Sequence, residues 1–228
     1  GCTDATAQVV VTETAAPNAG SNGSVSFCSS GSSANLYASL GGTPATTGTW
    51  SASPSTLTGG YLGTYDPVTM SPGTYTYTVT GSGGCSNATA QVVVTETAAP
   101  NAGADGSTSV CETSSSAIDL FSLITGENAG GTWTRLTGSG GTFNSGAGTY
   151  TPAVGATSST FQYTVTGTAP CSNDVSVATI TITAAPNAGT NGSVSFCSSG
   201  SSANLYSSLG GTPATTGTWS ASPSTLTG

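Results

Sequence analysis

The sequence predicts an all-β chain built as tandem β-sandwich repeats. Three observations carry that reading: several markers recur at one long period, apolar residues alternate with period two, and turn residues fall every 8–12 positions. The heptapeptide Thr-Ala-Ala-Pro-Asn-Ala-Gly stands at Thr14–Gly20, Thr97–Gly103 and Thr183–Gly189. Its prolines, Pro17, Pro100 and Pro186, are 83 and 86 residues apart. The same two intervals separate Trp50, Trp133 and Trp219, then Cys28, Cys111 and Cys197, and again Cys2, Cys85 and Cys171. Residues 1–15 therefore read as the C-terminal end of one repeat, 16–98 and 99–184 as two whole repeats, and 185–228 as the N-terminal half of another.

The copies differ in closeness. Residues 185–228 reproduce 16–59 except for Thr190 in place of Ser21 and Ser207 in place of Ala38. Residues 1–20 reproduce 84–103 with two changes, and the middle copy keeps only the skeleton. Near-identical copies imply recent duplication, so the chain is expected to be a stretch of a longer tandem array.

Within a repeat the elements follow from local pattern. Ala34–Leu40 reads as a strand, and its counterpart Ala117–Ile124 as one short turn. The central Trp sits in Gly-Thr-Trp, where a third strand would cross the core, so Trp50, Trp133 and Trp219 are expected to be core residues. Tyr75, Tyr77 and Val79 would face one side of a later strand, with Thr74, Thr76, Thr78 and Thr80 on the other. Phe161, Tyr163 and Val165 repeat the pattern in the middle copy. A last strand follows a Gly/Asn/Ser turn, at Gln91–Thr95 and again from Val175. Threonine suits these positions because its β-branch fits a pleated surface while its hydroxyl faces water. About 83 residues and some seven short strands make a small antiparallel sandwich, whose core is marginal without a staple.

Composition excludes much chemistry. The chain has 37 Ser, 43 Thr and 33 Gly, one Arg, no Lys and no His, and only 4% charged residues, against about 25% in an ordinary domain. The usual general bases and Schiff-base amines are missing, so no enzyme and no catalytic residue is expected. A net charge of −8 with one cation speaks against binding a phosphate backbone. No run reaches the roughly 20 apolar residues of a membrane helix. Asp and Glu are too scattered for a calcium loop, and close Cys pairs suited to zinc do not occur, so no metal or cofactor is expected.

Two cysteines per repeat read as disulfides, and hence as an oxidising, extracellular setting. Pairing within repeats, Cys28 with Cys85 and Cys111 with Cys171, is favoured, leaving Cys2 and Cys197 unpaired. Pairing across the linker (Cys85 with Cys111), or from one sandwich to the facing end of its neighbour, are the alternatives. Asn22, Asn87 and Asn191 match the glycan acceptor Asn-x-Ser/Thr, a sequence that also arises by chance in so Ser/Thr-rich a chain.

The ordered motifs Pro-Asn-Ala-Gly, Ser24–Cys28, Gly-Thr-Trp, Thr74–Gly81 and Gly84–Asn87 resemble the tandem PKD-like or Ig-like repeats of very large secreted Bacteroidota surface proteins, including gliding-motility adhesins. The resemblance spans the chain and implies export, beads arranged in a fibre or adhesin stalk, and neighbouring repeats or subunits as partners. It supplies no catalytic residues. The competing reading is a glycan-binding sandwich module, with Tyr61 and Tyr65 as its best contacts. A further expectation is that residues 185–228 fold only when the missing strands are supplied by continuing chain or another subunit.

Overall fold

The computed structural model describes residues 1–220. The end of the final half-repeat, 221–228, lies outside the described residues. By spatial proximity these fall into two compact units. One comprises Gly1–Asp105, Ile124–Trp133 and Gln162–Val177; the other takes Gly106–Leu123, Thr134–Phe161 and the residues from Ala178 onward.

The first repeat has six strands: β1 (Gly23–Cys28), β2 (Ala34–Asn35), β3 (Thr49–Trp50), β4 (Thr64–Tyr65), β5 (Gly73–Val79) and β6 (Ala88–Thr97). They form one sheet in the order β1-β6-β5-β3 and a small second sheet, β2-β4. The period-two pattern sorts side chains as expected. Tyr75, Tyr77, Val79, Ala90, Val92 and Val94 are buried, while threonines take the other face. The core is aromatic, with ring centroids 5.1 Å apart for Phe27 and Tyr65, and 5.7 Å for Tyr65 and Tyr75.

Three expectations need correction here. The sandwich is not purely antiparallel, because β1 runs parallel to β6, from Gly23 opposite Val92 to Cys28 opposite Thr97. At the start of β1 the side-chain oxygen of Asn22 accepts the Gln91 N–H at 2.8 Å, beside the early part of β6. Ala34–Leu40 is a two-residue strand followed by a 3-10 turn, Leu36–Ser39, which buries Leu36. Trp50 is only half-buried: it leans on Tyr77 at 5.0 Å and its indole N–H donates to the Tyr61 carbonyl. The centre of the core belongs instead to Tyr65, Tyr75 and Tyr77.

The second repeat contributes β7 (Gly106–Cys111), β8 (Ile118–Asp119), β9 (Thr132–Thr137), β10 (Thr142–Asn144), β11 (Thr149–Thr151), β12 (Ser159–Val165) and β13 (Asp174–Thr183). The sheet orders are β7-β13-β12-β9 and β10-β11-β8, and β7 is again parallel to β13. The short turn expected near Ala117–Ile124 is present at Leu120–Ser122. Trp133 is buried. Both parallel first strands begin on glycine for one reason. A Cβ on Gly23 would lie 1.7 Å from the Ser39 carbonyl oxygen, and one on Gly106 1.7 Å from that of Leu123.

Residues 185–220 keep the 3-10 turn, Leu205–Ser208, but no named strand. Trp219 is 61% exposed, contrary to its expected core position. Its equivalent, Trp50, rests on Tyr77 of β5 at 5.0 Å.

Candidate functional site: the repeat junction

The most elaborately repeated structure in the molecule is the segment that joins one repeat to the next. Each heptapeptide folds into the same clip. Asn18 accepts the Gly20 N–H through its side-chain oxygen and donates its amide to the Thr43 carbonyl at 2.9 Å. Asn101 does the same with Gly103 and Gly126, and Asn187 with Gly189 and Thr212. The side chain replaces a backbone partner in an Asx turn, which is why Asn is needed there. The following glycine has φ of 80°, 89° or 79°, and a Cβ at Gly20 would approach the Gly41 carbonyl oxygen to 2.6 Å.

The exit from each sandwich is tied down equally regularly. Ser29 donates its backbone N–H to the Thr97 carbonyl, and its hydroxyl oxygen accepts the Ala99 N–H at 2.9 Å. In the next repeat Glu112 donates its backbone N–H to Thr183, while its carboxylate accepts from Ala185 and Gly155, each at 3.0 Å. Those two amides hold the Glu112 carboxyl below its ordinary range.

The cysteines complete the junction, and they correct the expected pairing. Cys28 is bonded to Cys171, 143 residues away, with Cα atoms 4.9 Å apart. Neither Cys28–Cys85 nor Cys111–Cys171 forms, and Cys85 and Cys111 are free thiols, as are Cys2 and Cys197. The reason lies in strand direction. Cys28 stands level with Thr97 at the end of β6, whereas Cys85 precedes the start of β6 at Ala88. Ten residues of strand separate the two ends by about 33 Å, against the 4.4–6.8 Å between Cα atoms that a disulfide usually spans. Cys171 belongs to the turn before β13 of the following repeat, and its sulfur lies 3.4 Å from the Thr97 carbonyl oxygen. The bond therefore joins consecutive repeats, the third of the arrangements the spacing allows.

Beside each cysteine at the end of a first strand stands a hydroxyl two residues on. Cys111 contacts Thr113 at 3.1 Å and Cys197 contacts Ser199 at 3.3 Å. These hydrogen bonds hold both thiols below the ordinary cysteine range.

The remaining candidates have structural occupations. Asn22 and Asn87 are exposed, but their side-chain oxygens hold Gln91 N–H and Gly81 N–H. Asp105 and Asn173, which lie in no acceptor sequence, do the same for Val177 and Gly167. Asn191 is exposed. Tyr65, a proposed glycan contact, is fully buried, and its hydroxyl bonds Glu96. Burial first, and then Glu96, push that hydroxyl's pKa up. Tyr61 is 38% exposed and packs edge-on against Tyr37. Arg135, the single cation, lies 5.2 Å from the Tyr150 ring centre and donates to Ser159 and the Gly140 carbonyl, so it braces a core rather than serving a site. Among the described residues no group of three His, Cys, Asp or Glu could hold a metal, and no helix is long and apolar enough to cross a membrane.

Sequence reading missed the clip asparagines and the Ser29/Glu112 tether. The signal for the asparagines was present: the heptapeptide survives unchanged in a middle copy that has lost most other identities, whereas Ser29 and Glu112 are different residues at one repeat position and carry no such mark.

No protein-family model matches the chain, and no curated protein does. Solved structures similar to it include Sidekick-1 immunoglobulin domains 1–5, at 14% identity and TM-score 0.33, covering 72% of this chain and 38% of that one. Murine CEACAM1b follows at 16% and 0.24, covering 63% and 72%, and a chimeric titin Z1Z2 at 17% and 0.23, covering 72% and 94%. The chain thus spans well under half of the Sidekick-1 chain. At these scores the sandwich assignment rests on this chain's own sheet order and strand register.

Proposed function

We propose that this chain is a structural repeat segment of an extracellular cell-surface fibre or adhesin stalk, of Ig-like or PKD-like type, with no catalytic role. The observation that supports it most is the Cys28–Cys171 bond, which ties one repeat covalently to the next. A binding module needs no such tie, whereas a load-bearing string of beads gains from it. Tension on the chain then passes through a covalent cross-link as well as through the Ala98–Gly103 linker. The clip, identical at three positions, would set each junction in the same way. A disulfide fits an oxidising compartment, and the uncharged, Ser/Thr-rich faces fit an exposed, hydrated or glycan-bearing surface.

The test is single-molecule stretching of arrays of one, two and four repeats, with and without reductant. Contour length that grows by a constant increment per repeat, and lengthens on reduction, supports the stalk. Saturable binding of a repeat pair on a polysaccharide array, lost in Tyr61→Ala, would favour the glycan module instead.

A further inference from the structure

Asn22 and Asn191 are the two asparagines of the chain that precede glycine, and Asp105–Gly106 stands at the same position of the middle copy. An asparagine before glycine is open to attack by its own backbone, because no Cβ shields the following nitrogen. In the first repeat the glycine cannot be exchanged. A Cβ on Gly23 would lie 1.7 Å from the Ser39 carbonyl oxygen. A strand that must begin on glycine makes the asparagine before it a reactive one.

The middle copy shows what the acid form does at this place. Asp105 Oδ1 accepts the Val177 N–H at 2.8 Å, as Asn22 Oδ1 accepts the Gln91 N–H at 2.8 Å. Gly23 then stands opposite Val92, and Gly106 opposite Ala178, in the same parallel pairing. Only an oxygen is used in that bond, so an acid at position 22 can keep it.

In the folded chain the Asn22–Gly23 pair is held on every side. Ser21 exchanges both backbone hydrogen bonds with Gly41 at 3.0 Å. The Asn22 oxygen is bonded to β6, and Gly23 lies in the parallel ladder with the Ser39 carbonyl against it. Ring closure must swing the Asn22 carboxamide off Gln91 and onto the Gly23 nitrogen, which these contacts oppose. Asn22 itself is exposed, so water is at hand once they open.

We propose that Asn22–Gly23 is a self-modification site gated by the seating of β1, deamidating when β1 leaves β6 and protected while the two are paired. The Gly23 nitrogen, its proton taken by hydroxide, bonds to the side-chain carbonyl carbon of Asn22. The bond from that carbon to the amide nitrogen breaks, and the nitrogen leaves as ammonia with a proton from water. Water then opens the cyclic imide. Opening at the side-chain carbon gives aspartate, whereas opening at the main-chain carbonyl gives isoaspartate. One amide and one water are consumed, one carboxylic acid and one ammonia are formed, and nothing is oxidised. The aspartate form seats as Asp105 does. The isoaspartate form carries an extra main-chain atom before Gly23, which moves that glycine off the Val92 register, so β1 does not seat again.

The test incubates the 228-residue chain, with Cys28–Cys171 formed, in mildly alkaline buffer beside the same chain reduced and unfolded in urea. Cleavage after Glu13 and Phe27 isolates the Thr14–Phe27 peptide. Its conversion is read by the mass gain from amide to acid, and isoaspartate by a methyltransferase specific for it. Conversion at position 22 should be at least tenfold slower in the folded chain, because the chemistry proceeds only from the open state. Asn18, in the same peptide but followed by alanine, should keep its amide. Across sub-denaturing urea the conversion rate should rise in step with hydrogen exchange at the Gln91 amide, since both need β1 to open. Asn22→Asp should keep Gln91 protection within about threefold of the unaltered chain. After urea is removed, chains with isoaspartate at position 22 should lack that protection. Equal rates in folded and unfolded chain, no conversion in either, or loss of Gln91 protection in Asn22→Asp would overturn the proposal. Gln91 protection that returns in isoaspartate chains would overturn the irreversible step.

Discussion

Removing one hydroxyl from the first repeat, by Tyr77→Phe, should destabilise it by about 2–3 kcal/mol. Tyr77 is fully buried, and its hydroxyl serves two backbone groups: it donates to the Ala45 carbonyl at 2.6 Å and accepts the Gly48 N–H at 3.0 Å. Gly48 is itself buried, and a Cβ there would lie 2.3 Å from the tyrosine ring, so no water can replace the lost oxygen. An orphaned buried N–H costs about 1–3 kcal/mol. The half-buried Ala45 carbonyl can turn to water and adds about 0.5–1 kcal/mol. The control is Tyr75→Phe, an equally buried ring whose hydroxyl makes a single bond, to the Ser71 carbonyl. It should cost about 1 kcal/mol. Urea unfolding followed by Trp50 fluorescence, in a Trp133→Phe, Trp219→Phe background, reports the first repeat through the Trp50–Tyr77 contact. A Tyr77→Phe midpoint no lower than that of Tyr75→Phe would refute the reasoning.

Three more outcomes follow from the same structure. Gly106→Ala should abolish cooperative thermal unfolding of the second repeat, at a cost above about 4 kcal/mol, because the Leu123 carbonyl cannot retreat from a Cβ at 1.7 Å; far-ultraviolet circular dichroism on heating checks it. Arg135→Ala should cost about 2–3 kcal/mol by losing its ring contacts and its bond to buried Ser159, and Arg135→Lys should restore less than half, since an ammonium lacks the planar fork. The Glu112 tether should loosen in acid. Its carboxyl is depressed in the folded chain, so its contribution is complete above the ordinary carboxylate range and disappears as pH falls through the folded value. Amide exchange at Ala185 and Gly155 should accelerate over that interval, and Glu112→Gln should remove the pH dependence.

The sheet faces were legible because alternation is a local property: Thr76 and Tyr77 announce opposite sides without reference to anything distant. The period was legible because four marker types shared it. The pairing of Cys28 was not. It depends on β1 running parallel to β6, and no periodicity within β1 or β6 records the direction of their pairing. The Trp50 expectation failed for a related reason. A large apolar side chain suggests a core, but three tyrosines fill this one, their hydroxyls satisfied by backbone carbonyls, an amide and Glu96, leaving the indole at its margin.

The central claim, that a covalent bond ties successive repeats, is tested most directly by mapping the unreduced chain. Trypsin is of little use with one Arg and no Lys, but chymotrypsin combined with a glutamate-specific protease isolates every cysteine. Cleavage after Phe27, Leu36, Tyr77, Glu96, Glu112, Tyr163 and Phe196 places Cys28, Cys85, Cys111 and Cys171 in separate peptides. The account predicts the Cys28 peptide joined to the Cys171 peptide, with the Cys85 and Cys111 peptides free in freshly isolated monomer. Recovery of Cys28 joined to Cys85, or of Cys111 joined to Cys171, would contradict it.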